Sequence, residues 1–226
     1  SPPERFIREF EAEFSEDVDS YLPQELIASC IWTDAWHDLT PREIYYPFES
    51  QPKGRFCVGI DLGQIQDHSV LSVVEKWNQK IGLVHCHRFP LKTPYAAVIG
   101  YTKAICDRWR SVQKVYVDAT RESYVVKDMQ AAGIPQVIPI TFSLSSKQEI
   151  AKYLKETMQL KIFALPYDPD VIAELNIEKF EIMKDGNIKF HHDEGTHDDR
   201  FWSIALAVYA AREGAEPKLV GGKKIF

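Results

Sequence analysis

The sequence predicts a mixed α/β domain in which a three-strand antiparallel meander and further parallel strands form one central sheet flanked by helices. Three apolar runs suited to strands follow one another: RFCVGID, HSVLSVVEKW and KIGLVHCHRF. Gly63 and Asn78 supply turn residues between them, and helix and strand patterns alternate afterwards. At 226 residues, 45% hydrophobic and 27% charged, the chain can bury a sizeable core.

The elements are predicted in the order βββαβαβα. After the meander, this order rests on TPYAAVIGYTKAICDRWR, KVYVDA, SYVVKDMQAAG, QVIPITF and SSKQEIAKYLKETMQ. A short strand, IFALP, a hairpin turning at Asp185-Gly186 and a final apolar helix complete the pattern. The order is that of the ribonuclease H-like fold, an analogy that by itself carries no chemistry.

The first 50 residues differ in composition from the rest. They hold 12 acids, three arginines and no lysine, a formal charge of −9, whereas residues 51–226 total +3. Phe6, Phe10 and Phe14 lie at helical spacing, and PQELIASCIW is a second candidate helix. Prolines and a glycine mark a linker near 46–54. We therefore predict an acidic helical segment, residues 1–50, that ends a preceding domain, and an α/β domain over residues 51–226.

Cysteine usage and hydropathy exclude several classes of protein. The four cysteines form no CxxC pair, so we expect reduced core residues rather than a zinc or disulfide framework. No apolar run approaches the roughly 18 residues that span a bilayer, and the polar start lacks a signal-peptide core. We expect a cytosolic protein with no membrane partner.

Acidic residues fall at the ends of the predicted elements. Asp61 ends the first strand and Asp118 the fourth, so both carboxylates share one sheet edge if those strands are parallel neighbours. Asp199, preceded by Asp198, begins the final helix, and Asp67 follows Asp61 closely enough to fold back. Clustered carboxylates without cysteine favour Mg²⁺ or Mn²⁺, and two such ions about 4 Å apart hydrolyse phosphodiesters. The constellation predicts a two-metal nuclease.

The same residues also have structural interpretations. Asp61 could cap a turn and Asp67 could be a solvated loop acid. Asp199 fits a capping box with Thr196 as the N-cap residue. Nearby histidines could bind zinc, although no soft ligand accompanies them: His191, His192 and His197.

Three segments resemble, in order and separation, the C-terminal nuclease domain of the large terminase subunit of tailed viruses, the motor that cuts and packages viral DNA. They are CVGIDLGQIQDHSVLSVVE, VYVDATRESYVVKDMQAAGI and GTHDDRFWSIALAVYAA. IREFEAEFSED is similar to the region where that family's ATPase domain ends. The resemblance covers nearly the whole chain and implies that residues 1–50 end an ATPase domain and that residues 51–226 form the nuclease.

The resemblance also implies which residues form the site. Asp61, Asp118 and Asp199 would be the catalytic residues and principal metal ligands. Asp198 and Asp67 would be auxiliary ligands, or would hold the ligands in place.

Three further residues are candidates for contact with the phosphate groups of the DNA. Lys147 falls where the family often has a lysine, although a solvated helix N-terminus explains it equally well. His197 could orient a water molecule or contact phosphate. Arg121 lies in DATRESY, which departs from the family's usual glycine after the second aspartate and leaves the local geometry open.

The resemblance implies an endodeoxyribonuclease that cuts concatemeric viral DNA with two Mg²⁺ or Mn²⁺ ions. Its substrate would be double-stranded DNA, and the parent protein would meet the portal and the small terminase subunit in the host cytoplasm, transiently at the procapsid. Residues 1–226 contain no GxxxxGK[ST] motif, so ATP would belong to the absent ATPase domain.

Other functions fit some of the same features. A resolvase or integrase-type nuclease would use similar acids on branched junctions or specific ends. An actin-like or sugar-kinase ATPase could use GIDLG for phosphate but needs a later glycine-rich segment that residues 100–200 do not supply. A non-catalytic structural or docking module of a packaging motor would need the acids only as caps and turns.

Overall fold

The computed structural model describes residues 20–31, 45–63, 66–134 and 136–212; the predicted phenylalanine stripe at Phe6, Phe10 and Phe14 lies outside these ranges. The strands are β1 (Lys53–Asp61), β2 (Val70–Trp77), β3 (Lys80–Arg88), β4 (Arg110–Asp118), β5 (Val137–Ile140), β6 (Phe163–Ala164), β7 (Lys179–Ile182) and β8 (Ile188–His191). The helices are α1 (Gln24–Ala28), α2 (Tyr95–Arg108), α3 (Ser123–Ala131), α4 (Leu144–Gln159), α5 (Pro169–Ile177) and α6 (Asp199–Ala210).

Six strands form one mixed sheet in the order β5-β4-β1-β2-β3-β6. The pairs β1/β2 and β2/β3 are antiparallel, as predicted for the meander, while β1/β4, β4/β5 and β3/β6 are parallel. A separate hairpin pairs β7 with β8. The predicted fold class, a ribonuclease H-like mixed sheet flanked by helices, is confirmed.

Helices cover both faces of the sheet, and α6 is the most deeply buried of those described. Of its 12 residues, only Arg200 is not buried, the pattern expected of a helix enclosed on all sides. A Cβ at Gly59 of β1 would overlap the α6 backbone at Ser203 and Ala207, so glycine is what allows this close approach. The helix is therefore fixed against the strand that ends in Asp61.

The segment from Ser20 to Ile31 packs into the same core as the sheet. Its helix ends at Ala28, earlier than the sequence pattern predicts, because the following residues run alongside the β6 region. Ile31 forms a parallel bridge with Leu165, and Leu165 donates its N–H to the carbonyl of Cys30. None of the helices in the described ranges combines the length and apolar character that a bilayer span requires.

Candidate active site

An open cavity of about 550 Å³ lies at the carboxyl edge of β1 and β4. All five predicted acids line it: Asp61, Asp67, Asp118, Asp198 and Asp199. Lys147 and Arg121 line it as well, whereas His197 lies beside Asp199. The structure thus brings the five acids together from three separated sequence segments and adds Lys147 from a fourth.

The parallel pairing of β1 with β4 places the first two aspartates. Ile60 is paired with Val117, so Asp61 and Asp118 are each the next residue at the same end of neighbouring strands. Carboxyl ends of parallel strands are where α/β sheets form their binding crevices. The strand pairing on which the sequence prediction depended is confirmed.

A threonine fixes the Asp118 carboxylate. The Thr120 backbone N–H donates to Asp118 Oδ1 at 2.9 Å, and the Thr120 hydroxyl donates to the same oxygen. The Thr120 hydroxyl oxygen in turn accepts the Phe142 N–H at 2.7 Å. These bonds tie Asp118 to the loop before α4. They also define the geometry of the turn at the start of DATRESY, which has no glycine after the aspartate.

Gly63 allows the loop after β1 to return towards the sheet. A Cβ at this position would overlap the backbone of Asp67 and His68. The Gly63 N–H also donates to Ser69 Oγ at 3.1 Å, which closes the loop at its base. Asp67 consequently lines the cavity, and it is exposed, as the local sequence suggests.

The first turn of α6 carries the remaining two aspartates. Asp198 is the N-cap residue but makes no capping bond; its Oδ2 accepts the Trp202 indole N–H at 2.8 Å. Asp199 is only 5% exposed, and its Oδ2 accepts the His68 backbone N–H at 3.2 Å. The alternative capping box is wrong, because α6 begins at Asp199 with Asp198, and not Thr196, as its N-cap residue.

Burial and mutual repulsion make these acids hard to ionise. The pKa of Asp61 is raised well above its ordinary value, first by burial and then by the charges of Asp118, Asp199 and Asp198. Burial likewise raises the pKa of Asp199 to about 7, against the lowering effect of the His68 N–H. When ionised, the cluster would therefore carry more negative charge than the surrounding protein neutralises.

Lys147 supplies part of the opposing charge. Its ammonium lies 4.2 Å from the centre of the Trp202 ring and 5.2 Å from that of Phe142. Its positive charge lowers the pKa of Asp61. Lys147 is thus held at the cavity by cation–π contacts instead of projecting freely into solvent.

Histidines surround the α6 end of the cavity. The Nε2 atom of His192 is 3.5 Å from Asp198 Oδ1, and Nδ1 of His197 is 3.8 Å from Asp199 Oδ2. The rings of His68 and His197 meet edge to face at 5.3 Å. Among residues 20–31, 45–63, 66–134 and 136–212, no three His, Cys, Asp or Glu side chains already form a compact metal cage. The oxygen-rich lining nevertheless fits a hard divalent cation, which would relieve the repulsion between the carboxylates.

The sequence prediction missed two buried glutamates beside this cavity. Glu178 is 1% exposed, and its carboxyl group interacts with that of Asp198. Burial, followed by the charge of Asp198, raises its pKa. Glu174, at 6% exposure, accepts bonds from two arginines. The sequence feature that could have indicated them is the presence of both acids inside the apolar run VIAELNIEKF.

Comparison with known proteins identifies similar chains. No protein-family model matches this sequence. The terminase large subunit of Thermus phage G20c is 25% identical over 166 residues, which cover 74% of this chain and 33% of that protein. The large subunit of Thermus virus P23-45 matches to the same extent. The chain thus spans about a third of the length of these curated relatives.

Solved structures of nuclease domains also match most of the chain. The large terminase nuclease of phage G20c has a TM-score of 0.67 at 22% identity, covering 86% of this chain and 98% of that one. Its magnesium-bound form has a TM-score of 0.62 at 24% identity, covering 71% and 83%. The nuclease domain of Thermus phage P74-26 has a TM-score of 0.61 at 26% identity, covering 77% and 85%. In sequence and in fold, the chain resembles the large terminase nuclease domains of Thermus phages.

Proposed function

We propose that this chain contains a divalent-metal-dependent endodeoxyribonuclease that cuts double-stranded DNA. The observation that carries the proposal is the convergence of Asp61, Asp118 and Asp199 on one cavity from β1, β4 and α6. The resemblance to terminase nucleases, one of them solved with magnesium, supports the same conclusion.

The three aspartates would hold Mg²⁺ or Mn²⁺, with Asp67 and Asp198 assisting. Two such ions, when bound, supply an activated water and neutralise the leaving oxygen of a phosphodiester. The donor set is entirely carboxylate oxygen, the ligand type that these ions prefer.

The other residues of the site would orient the substrate. The Lys147 ammonium, fixed over Trp202, would bind a phosphate oxygen near Asp61. Arg121, exposed at the cavity rim, would bind a neighbouring phosphate, and His197 would orient the attacking water beside Asp199. Contacts of this type recognise the DNA backbone, so cutting would show little sequence preference and strong salt dependence.

In the parent protein we propose that this nuclease cuts concatemeric viral DNA during packaging. Residues 51–226 would form the nuclease domain, and residues 1–50 would end an ATPase domain and its linker, with the segment from Ser20 to Ile31 packed against the nuclease core. ATP hydrolysis, the portal and the small terminase subunit would belong to that longer protein, which works in the host cytoplasm and at the procapsid.

The proposal predicts metal-dependent cutting of supercoiled plasmid. With Mn²⁺ or Mg²⁺ we expect nicked and linear products on an agarose gel, and no products after chelation with EDTA. Cutting that persists in EDTA would contradict the mechanism. Preference for a four-way junction over the plasmid would indicate a resolvase instead, and no cutting or metal binding would indicate a docking module.

A further inference from the structure

Glu174 of α5 accepts three hydrogen bonds inside the protein. Its Oε2 accepts the backbone N–H of Arg200 at 2.8 Å. Its Oε1 accepts Nη1 of Arg88 at 3.0 Å and also Nη1 of Arg200. Because the side chain is only 8% exposed, these contacts are shielded from water. A buried carboxylate with two arginine partners is a fixed point in the structure.

The Arg200 backbone N–H, in the first turn of α6, is bonded to an acceptor from a different helix. The first N–H groups of a helix normally find an acceptor in the N-cap side chain. Here Asp198 makes no capping bond, and the acceptor comes from Glu174 on another helix. The peptide unit held by Glu174 joins Asp199 to Arg200, so the restraint acts directly on the backbone of Asp199.

The other partner of Glu174 leads back to the same aspartate. Arg88 ends β3, and the next residue, Phe89, accepts a hydrogen bond at its carbonyl from the His68 ring at 2.7 Å if Nδ1 carries the proton. The Phe89 N–H also donates to the Ser69 carbonyl at 2.9 Å. His68 in turn donates its backbone N–H to Asp199 Oδ2.

These contacts form a closed circuit around Asp199, which we name the Glu174 network. Its members are Asp199, His68, Phe89, Arg88, Glu174 and Arg200. The circuit joins the loop that carries Asp67, the end of β3, α5 and the first turn of α6. Asp199 is thereby held at its carboxylate and at its backbone.

We propose that Glu174 is a positioning residue that sets Asp199 for metal binding, an inference that rests on the proposed nuclease site. Glu174 does not line the cavity and acts through Asp199. Loss of a group that orients a metal ligand commonly weakens metal affinity or activity by about 10- to 100-fold. The network holds Asp199 in one orientation without any contact between Glu174 and substrate.

Two substitutions test the proposal. Glu174→Ala removes all three acceptor bonds and should weaken Mn²⁺ affinity about 10- to 100-fold in calorimetric titration. Glu174→Gln keeps an oxygen for the Arg200 N–H but loses the ion pairs, so we expect an intermediate loss of Mn²⁺ affinity of at least about threefold.

Asp170→Ala is the matched control, because exposed Asp170 contacts the same Arg200 guanidinium at 3.4 Å. The Mn²⁺ affinity of this variant should stay within about twofold of wild type.

A second measurement needs no metal. The His68 amide, which donates to Asp199 Oδ2, should lose hydrogen-exchange protection in Glu174→Ala and keep it in Asp170→Ala. A folded Glu174→Ala protein with wild-type Mn²⁺ affinity and an unchanged His68 amide would overturn the proposal. If the alanine variant does not fold, wild-type affinity in Glu174→Gln would overturn it. Wild-type protein that binds no Mn²⁺ would refute the proposed metal site instead, and the His68 amide would still decide whether Glu174 positions Asp199.

Discussion

Asp118→Asn is expected to lower the initial rate of Mn²⁺-dependent plasmid cutting by at least about 100-fold. Loss of a group that merely orients a ligand costs about 10- to 100-fold, so loss of a charged ligand should cost at least the upper end of that range. Asparagine retains Oδ1, which accepts both Thr120 bonds, so the turn and the fold should survive. The rate is measured by gel densitometry at saturating Mn²⁺.

Asp107→Asn provides the control for this substitution. Asp107 is an exposed aspartate of α2 that pairs with Lys103, outside the cavity. The cutting rate of Asp107→Asn should equal that of wild type. The Tm of each variant should lie within a few degrees of the wild-type Tm. Undiminished cutting by folded Asp118→Asn would show that this carboxylate is not part of the reaction.

The second large effect is a pH-dependent stabilisation of the protein by metal. Asp199 has a pKa of about 7 in the folded protein, and the pKa of Asp61 is raised as well, whereas both ionise near pH 4 when unfolded. The folded state therefore binds more protons between these values. The contribution of these two groups to metal-free stability is full below about pH 4 and declines as pH rises through 7.

Metal should reverse this decline, because it binds the ionised carboxylates. At a free Mn²⁺ concentration 100 times the Kd, linkage gives about 2.7 kcal/mol, or roughly 5–10 °C in Tm for a domain of this size. We expect a larger gain at pH 8 than at pH 6, measured by differential scanning calorimetry with and without Mn²⁺.

Asp61→Asn separates this effect from general changes in stability. The variant should be more stable than wild type in the absence of metal at pH 8, because it removes a buried carboxylate repelled by its neighbours. It should also lose most of the Mn²⁺-induced gain. An equal gain in Tm for variant and wild type would show that the ions bind elsewhere.

The sequence predicts the site best where the position of a residue depends only on which strands are neighbours in the sheet. Apolar runs and turn residues predict the meander, and the parallel pairing of β1 with β4 then places Asp61 and Asp118 at one edge. This part of the candidate site follows from strand order because the ends of parallel neighbours coincide. The order of strands and helices along the chain likewise predicts the fold class.

Local patterns fail where a distant partner decides the structure. Thr196 and Asp199 match a capping box, yet Asp199 is bonded to His68, a residue 131 positions away in the chain. Glu174 caps the helix from α5, and no spacing rule can indicate that contact. The predicted helix after Pro23 ends early for a similar reason, because Ile31 pairs with Leu165.

The location of bound Mn²⁺ tests the central claim most directly. Crystals soaked in Mn²⁺ and measured at a wavelength with strong manganese anomalous scattering would locate each ion directly. We expect anomalous peaks in the cavity, within about 2.0–2.5 Å of carboxylate oxygens of Asp61, Asp118 and Asp199. Peaks confined to other parts of the surface, with these three aspartates uncoordinated at saturating Mn²⁺, would contradict the account.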